Sequence, residues 1–445
     1  MRLRALILAG LCLAAASAVV AQAQAQAQGQ AAVGVQSVQQ IDDRLLEFQL
    51  LTPDVAGATG VRVLLPEGYR QSRRRYPVLY LLHGAINNYK AWTDQGDAEA
   101  LTAKRKLIVV MPDSGTHDGY TDWYNGGQGG PPAWEHYHLT GLVPFIDHRF
   151  RTIADRRGRA IAGLSMGGGG AMIYAAHRPD LFTAAASFSG AVNLTHPAIV
   201  AIADPAARGS YVDQRLRWEA DDPVRMAANL KGLKLVLRTG NGMPGGPLDD
   251  RAKLDVVELV VHQSNLTFHQ RLEKLGITHL WDDYGPGDHS WPYWRRGLAE
   301  TLPILMRRFR RQTPPPAKVS YTSDRPGYDV YGWSVRIKRL ADEFSTLSGA
   351  GRKGFRLTGS GKATVTTAPV LSACRRYLVK IEDANGKRSV HRTAGGRGRL
   401  RLQLDLGPSN PNPQYSVADI AAGHRSVTAK VRLRPQKKGG CGHHA

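Results

Sequence analysis

The sequence predicts an α/β domain built on a mostly parallel sheet, followed by a small all-β, sandwich-like C-terminal module. Three observations carry that prediction. Between about residues 60 and 310, near-continuous apolar runs alternate with helical patterns, as in a parallel sheet covered by helices on both faces. One of those runs enters Gly163-Leu164-Ser165-Met166-Gly167, which opens onto a Gly- and Ala-rich helical stretch. After Pro314-Pro315-Pro316 the alternation stops, and short runs separated by Gly-, Ser- and Asn-containing turns take over.

Taken in order, residues 1–23 read as a signal peptide. Arg2 and Arg4 precede an apolar stretch from Ala5 to Val20, and Ala21-Gln22-Ala23 offers a small-x-small cleavage site. The apolar stretch is too short for a membrane span, and no later segment reaches that length. Cys12 follows Leu11 inside it, a poor site for lipoprotein acylation. Residues 24–40, a Gln/Ala-rich run, read as a disordered leader. The catalytic domain is expected over residues 41–312. Its strands are expected at Val61–Leu65, Tyr76–Leu82, Leu107–Pro112, Ala184–Ser189, Leu233–Leu237 and His279–Trp281. Helical patterns separate them at Glu135–Phe150, Gly170–His177, Leu254–Leu275 and Tyr293–Arg310. A proline-rich spacer at 313–320, a basic β-rich module at 321–435 and a flexible tail at 436–445 complete the chain.

Charge is concentrated at the C-terminal end. Residues 318–445 hold 24 Lys and Arg against 8 Asp and Glu, a balance of +16 out of the chain's +22. Such a module suits an anionic cell-wall polymer, or else simply presents an arginine-rich solvated face. No aromatic–basic pattern points to nucleic acid. Cys374 and Cys441 pair in an oxidising compartment or stay apart, and neither has metal-ligand spacing.

Gly-x-Ser-x-Gly between a strand and a helix is a nucleophile elbow, which makes Ser165 the candidate nucleophile. A serine hydroxyl is a weak nucleophile, so it needs a base and the base needs an orienting carboxylate. In α/β-hydrolase order both follow the serine. His289, in the loop Gly285-Pro286-Gly287-Asp288-His289, is the best-placed base; His262, His269 and His279 fall on regular elements. For the acid, Asp249, Asp250 and Glu258 all follow the strand Leu233–Leu237, and spacing does not separate them. One oxyanion donor is the N–H of Met166, the residue after the nucleophile.

From Leu79 to Trp294 the chain resembles the esterase branch of the α/β hydrolases, and in particular the mycobacterial mycolyltransferases (trehalose/diacylglycerol acyltransferases). The resemblance rests on Val110-Met111-Pro112 with Thr121-Asp122-Trp123-Tyr124, Gly163-Leu164-Ser165-Met166 and Gly240-Asn241-Gly242. Glu258 with Ser264-Asn265-Leu266 and Phe268, and His289-Ser290-Trp291 with Tyr293-Trp294, extend it. It implies Glu258 as the acid, Ala85 as the second oxyanion donor, and Gly84 and Trp291 beside the substrate. Two positions depart from the pattern. His83 stands where mycolyltransferases have an aspartate that binds trehalose, and Thr239 stands where they have a cysteine. The C-terminal module lies outside the mycolyltransferase pattern and is similar to the β-rich extension of some exported actinobacterial esterases.

The function expected is therefore an exported serine esterase acting on carbohydrate or lipid esters. Acyl transfer to a sugar or lipid hydroxyl is the alternative, and a wall-binding protein with a vestigial hydrolase domain the third reading. No metal or organic cofactor is required.

Overall fold

The computed structural model describes residues 33–115, 117, 119–124, 132–203, 205–249 and 253–436. The expected signal peptide, Asp250, and residues 437–445 with Cys441 lie outside them. The strands β1 (Gly34–Gln40), β2 (Leu45–Leu51) and β3 (Ala58–Leu64) run antiparallel to their neighbours at one side of a nine-stranded sheet. The other strands are β4 (Val78–Leu82), β5 (Ile108–Pro112), β6 (Arg159–Leu164), β7 (Ala184–Phe188), β8 (Lys234–Thr239) and β9 (His279–Asp283). They pair with one another in parallel. The order is β1-β2-β3-β5-β4-β6-β7-β8-β9.

The strands β4, β5, β6 and β7 are buried throughout, which explains their near-continuous apolar runs. Val78, Tyr80 and Leu82 point to the face covered by the helix Ser165–His177. Leu79 and Leu81 point to the opposite face, under Leu298, Leu302, Leu305 and Phe309 of the helix Trp291–Arg311. The sheet is thus the middle layer of three.

The leader expectation is corrected over residues 34–40. These residues are β1, exposed along its length and paired to β2. A polar edge strand is held by its backbone bonds to a better-buried neighbour, so it carries no apolar alternation for sequence reading to find. The spacer is also shorter than expected, because regular structure resumes at Val319.

The C-terminal module is an antiparallel sandwich. One sheet joins β10 (Val319–Ser323), β13 (Ser345–Gly351), β14 (Gly354–Gly359), β19 (Val427–Pro435), β16 (Arg376–Asp383) and β17 (Gly386–Thr393) in that order. The other joins β11 (Gly327–Val330), β12 (Trp333–Lys338), β15 (Lys362–Thr366) and β18 (Arg401–Asp405). Trp333, Val335, Leu357, Val379 and Val431 fill the space between them. The module is docked on the catalytic domain. The side-chain amide of Asn229 donates to the Thr322 carbonyl and accepts its N–H, both at 2.9 Å. The Tyr321 and Tyr331 hydroxyls donate to the carbonyls of His177 and Pro179. Cys374 is disulfide-bonded.

Candidate active site

At the carboxyl end of β6, Ser165 begins the elbow helix with φ 51°, a left-handed conformation that costs a non-glycine residue free energy. The glycines flanking it are sterically required. A Cβ on Gly163 would lie 2.3 Å from the Gly167 carbonyl oxygen, and one on Gly167 2.3 Å from that of His83. This turn places the Ser165 hydroxyl at the rim of the sheet, 2.8 Å from His289 Nε2.

His289 lies in the loop between β9 and the helix Trp291–Arg311. Its Nδ1 donates to Glu258 Oε2 at 2.6 Å. Trp294 meets its ring edge-on at 5.0 Å, and Trp291 packs in turn on Trp294 and Trp92. Glu258 is fully buried in the first turn of the helix Val256–Lys274. Its other oxygen accepts hydrogen bonds from Gly240 N–H (2.7 Å), the Ser189 hydroxyl (2.8 Å) and the Thr239 hydroxyl (3.1 Å). A buried carboxylate needs such donors to stay charged. Ser189 reaches it from a left-handed backbone of its own, φ 46°.

Asp255 ties Glu258 to His289. It caps the helix Val256–Lys274 by accepting Glu258 N–H at 3.0 Å, and its second oxygen accepts His289 N–H at 3.1 Å. Burial raises its pKa, but those two backbone donors, with the His289 charge and Val257 N–H, outweigh it and hold the carboxyl below its ordinary value. The sequence signal was present, since Asp255-x-x-Glu258 is a helix N-terminus pattern, yet spacing gives no hint of the second bond.

The loop after β4 closes the other side. A Cβ on Gly84 would lie 2.5 Å from Leu164 Cδ1 and 3.3 Å from Ser165 Cβ, so a larger residue here would displace the Leu164 side chain beside the nucleophile turn. His83 is buried, and its Nδ1 donates to the Gly84 carbonyl at 2.8 Å. That carbonyl belongs to the same peptide unit as Ala85 N–H, and in a trans peptide the two point in opposite directions. The His83 bond therefore fixes where Ala85 N–H points. Ala85 and Met166 border the same cavity as Ser165.

That cavity measures about 720 Å³. Its walls are largely apolar, with Ile199 and Ile202 from the helix Pro197–Ile202 facing Val256, Val257, Val260 and Val261 from the helix Val256–Lys274. A second cleft of about 330 Å³ opens on His289 and is bordered by Lys253, Asp255 and Asp288.

The remaining expectations fall away from this centre. Trp291 does not line the apolar cavity; its ring is taken up by Trp92 and Trp294. Asp249, one of the three carboxylates that spacing left open as the acid, accepts the Tyr293 hydroxyl at 2.8 Å and Gly246 N–H at 2.6 Å, pinning its loop. His262 bonds Asp283, while His269 bonds His279 and stacks on Trp281. Away from the site, Glu135, His177 and Asp221 bring ligand-type atoms within 4.8 Å of one another. Both His177 ring nitrogens are engaged, by Glu135 and the Ala220 carbonyl, and Arg208 pairs with Asp221. This cluster is an ion-pair network whose cations come from the protein itself.

A sequence profile described as "Putative esterase" matches residues 53–305. The esterase Rv1288 of Mycobacterium tuberculosis is 35% identical over 265 residues, covering 56% of each chain, so the present chain spans about half of that relative. The diacylglycerol acyltransferase/mycolyltransferase Ag85B of Mycobacterium leprae is 30% identical over 274 residues, or 58% of this chain and 82% of that protein. An S-formylglutathione hydrolase from Agrobacterium tumefaciens shares the fold, with TM-score 0.50 and 17% identity over 62% of this chain and 99% of its own.

Proposed function

The chain belongs to the Putative esterase family, an ester hydrolase or acyltransferase by that membership, and from this premise we propose an exported serine esterase. Its substrate would join an apolar acyl chain to a polar, hydroxyl-bearing alcohol. The observation that carries the reading is the unbroken chain Glu258–His289–Ser165, 2.6 and 2.8 Å long, ending at the mouth of an apolar cavity.

In this reading Ser165 Oγ attacks the acyl carbonyl carbon while its proton passes to His289 Nε2. Glu258 stabilises the imidazolium through Nδ1–H, and the N–H groups of Ala85 and Met166 receive the oxyanion. The tetrahedral intermediate collapses, the carbon–oxygen bond to the alcohol breaks, and His289 returns its proton to the departing oxygen. Water, deprotonated by His289, then attacks the acyl-enzyme by the same path and releases the acid.

The apolar cavity favours the acyl side, and the charged cleft at His289 favours a polar alcohol. Acyl transfer to a sugar shares the first half-reaction. Against trehalose as acceptor stands His83, buried beneath Gly84 and not turned into the cavity.

The test is a series of p-nitrophenyl esters from acetate upward, with and without added glucose or trehalose. Each further methylene buried in the cavity is worth about 0.8 kcal/mol, so kcat/KM should climb about fourfold per carbon until the cavity is full. Free acid as the product, unaffected by sugar, supports hydrolysis, whereas acyl-sugar product identifies a transferase. A flat chain-length profile contradicts the acyl assignment of the cavity.

A further inference from the structure

The outer face of the six-stranded sandwich sheet carries cations in a pattern the ester chemistry does not use. On β19 the outward residues Lys430, Arg432 and Arg434 follow one another at every second position, about 7 Å apart. Arg356 of β14 stands directly opposite Lys430, and Lys380 of β16 directly opposite Arg432. All five are exposed. Like charges placed directly opposite across strands destabilise a sheet. Among the described residues the only acid at an outward position of β14, β16 or β19 is Glu382, which lies 3.6 Å from Lys430. Arg356, Lys380, Arg432 and Arg434 have no carboxylate within ion-pair distance among the described residues. At the end of β14 the row continues into a groove of about 800 Å³ bordered by Lys318, Arg352 and Lys353.

Residues of other chemistry flank the cations. Across from Arg356 on β13 is Ser348, and across from Lys380 on β17 is Ser389. Thr358 and Thr428 form a hydroxyl pair at 2.8 Å on the same face. The outward positions of the three central strands hold no aromatic side chain, so the face lacks the stacking platform that single-stranded nucleic acids use.

We propose that this face binds an acidic polysaccharide, a linear chain of sugars carrying repeated carboxylates. Its anions offset the opposed cations of β14, β16 and β19, and its hydroxyls meet the serines and threonines alongside. The like-charge pairs are then the binding register and not a packing defect. This site is independent of Ser165 and of the ester reading.

The experiment measures binding of the full-length protein to immobilised polygalacturonate across a salt series. Saturable binding that weakens as salt rises is expected, since exposed charges are screened within about 8 Å at physiological ionic strength. Replacing Arg356, Lys380 and Arg432 together by Ser should weaken binding about tenfold or more, because charge-assisted hydrogen bonds are lost at three points. Replacing Arg70, Arg73 and Arg74 by Ser, with the same loss of charge on the catalytic domain, should leave affinity within a factor of about three. Lys380→Glu alone should also weaken it and serves as a second variant. Thermal unfolding followed by circular dichroism reports that each variant is folded and should be unchanged. Equal losses from the two triple variants would overturn the proposal and leave only diffuse net charge. Tighter binding to single-stranded DNA of matched charge would overturn it in favour of a nucleic acid.

Discussion

The carboxylate of Asp255 accepts the backbone N–H of His289 at 3.1 Å while its other oxygen accepts that of Glu258 at 3.0 Å. One side chain thus sets the distance between the groups read as acid and base. Asp255→Ala should lower kcat by about 10- to 100-fold with KM little changed, since a misplacement near 1 Å is enough for such a loss. Asp255→Asn, which keeps an acceptor oxygen, should recover part of it. Glu258→Gln should be more severe, about 10⁴-fold in kcat by analogy with a neutralised triad acid. Asp249→Asn should change kcat far less, because Asp249 holds Tyr293 and Gly246 and does not touch His289. Steady-state kinetics of the four variants check the ranking, and a KM effect from Asp255→Ala equal to its kcat effect would contradict it.

His83 supplies a second positioning prediction. If its bond to the Gly84 carbonyl aims Ala85 N–H at the oxyanion, His83→Phe should reduce kcat, by less than the about 10²- to 10³-fold that follows deletion of a whole oxyanion donor. His83→Asn retains an N–H donor of similar reach and should keep more activity than His83→Phe. A purely structural role for His83 would lower the melting temperature of both variants and leave kcat per folded molecule alone.

The central frame of this site was legible because its signals are local. Gly163-x-Ser165-x-Gly167 and the loop around His289 each declare a backbone shape that few other functions need. What escaped is non-local. Choosing Glu258 over Asp249 depended on family resemblance, because a 31-residue gap between Glu258 and His289 carries no distance information. The resemblance put Trp291 beside the substrate, but a helix turns it onto Trp92, nearly 200 residues away in sequence. Nor could β1 be read, since its stability comes from main-chain bonds to β2 and not from any apolar face.

Stability should be pH-dependent through His177, whose ring bonds Glu135 and the Ala220 carbonyl. Burial would depress the His177 pKa, but the charge of Glu135 and its hydrogen bond outweigh it and raise it from 6.5 to about 9. A base whose folded pKa is raised stabilises fully below its unfolded value and loses that contribution as pH climbs through the folded one. His177→Gln should therefore cost most near pH 6, roughly 3 kcal/mol at the upper limit, and little above about pH 10. Melting temperatures of wild type and variant should converge as the pH rises. A gap that stays constant would show that the His177 charge plays no part.

The claim that Ser165 is the acylated nucleophile is tested most directly by treating the full-length protein with a fluorophosphonate and mapping the adduct by mass spectrometry. His289 within 2.8 Å of Ser165 Oγ and the left-handed elbow predict a single adduct on the peptide containing Ser165, absent from Ser165→Ala. An unlabelled Ser165, or a stoichiometric adduct on another residue with Ser165 untouched, would contradict the account.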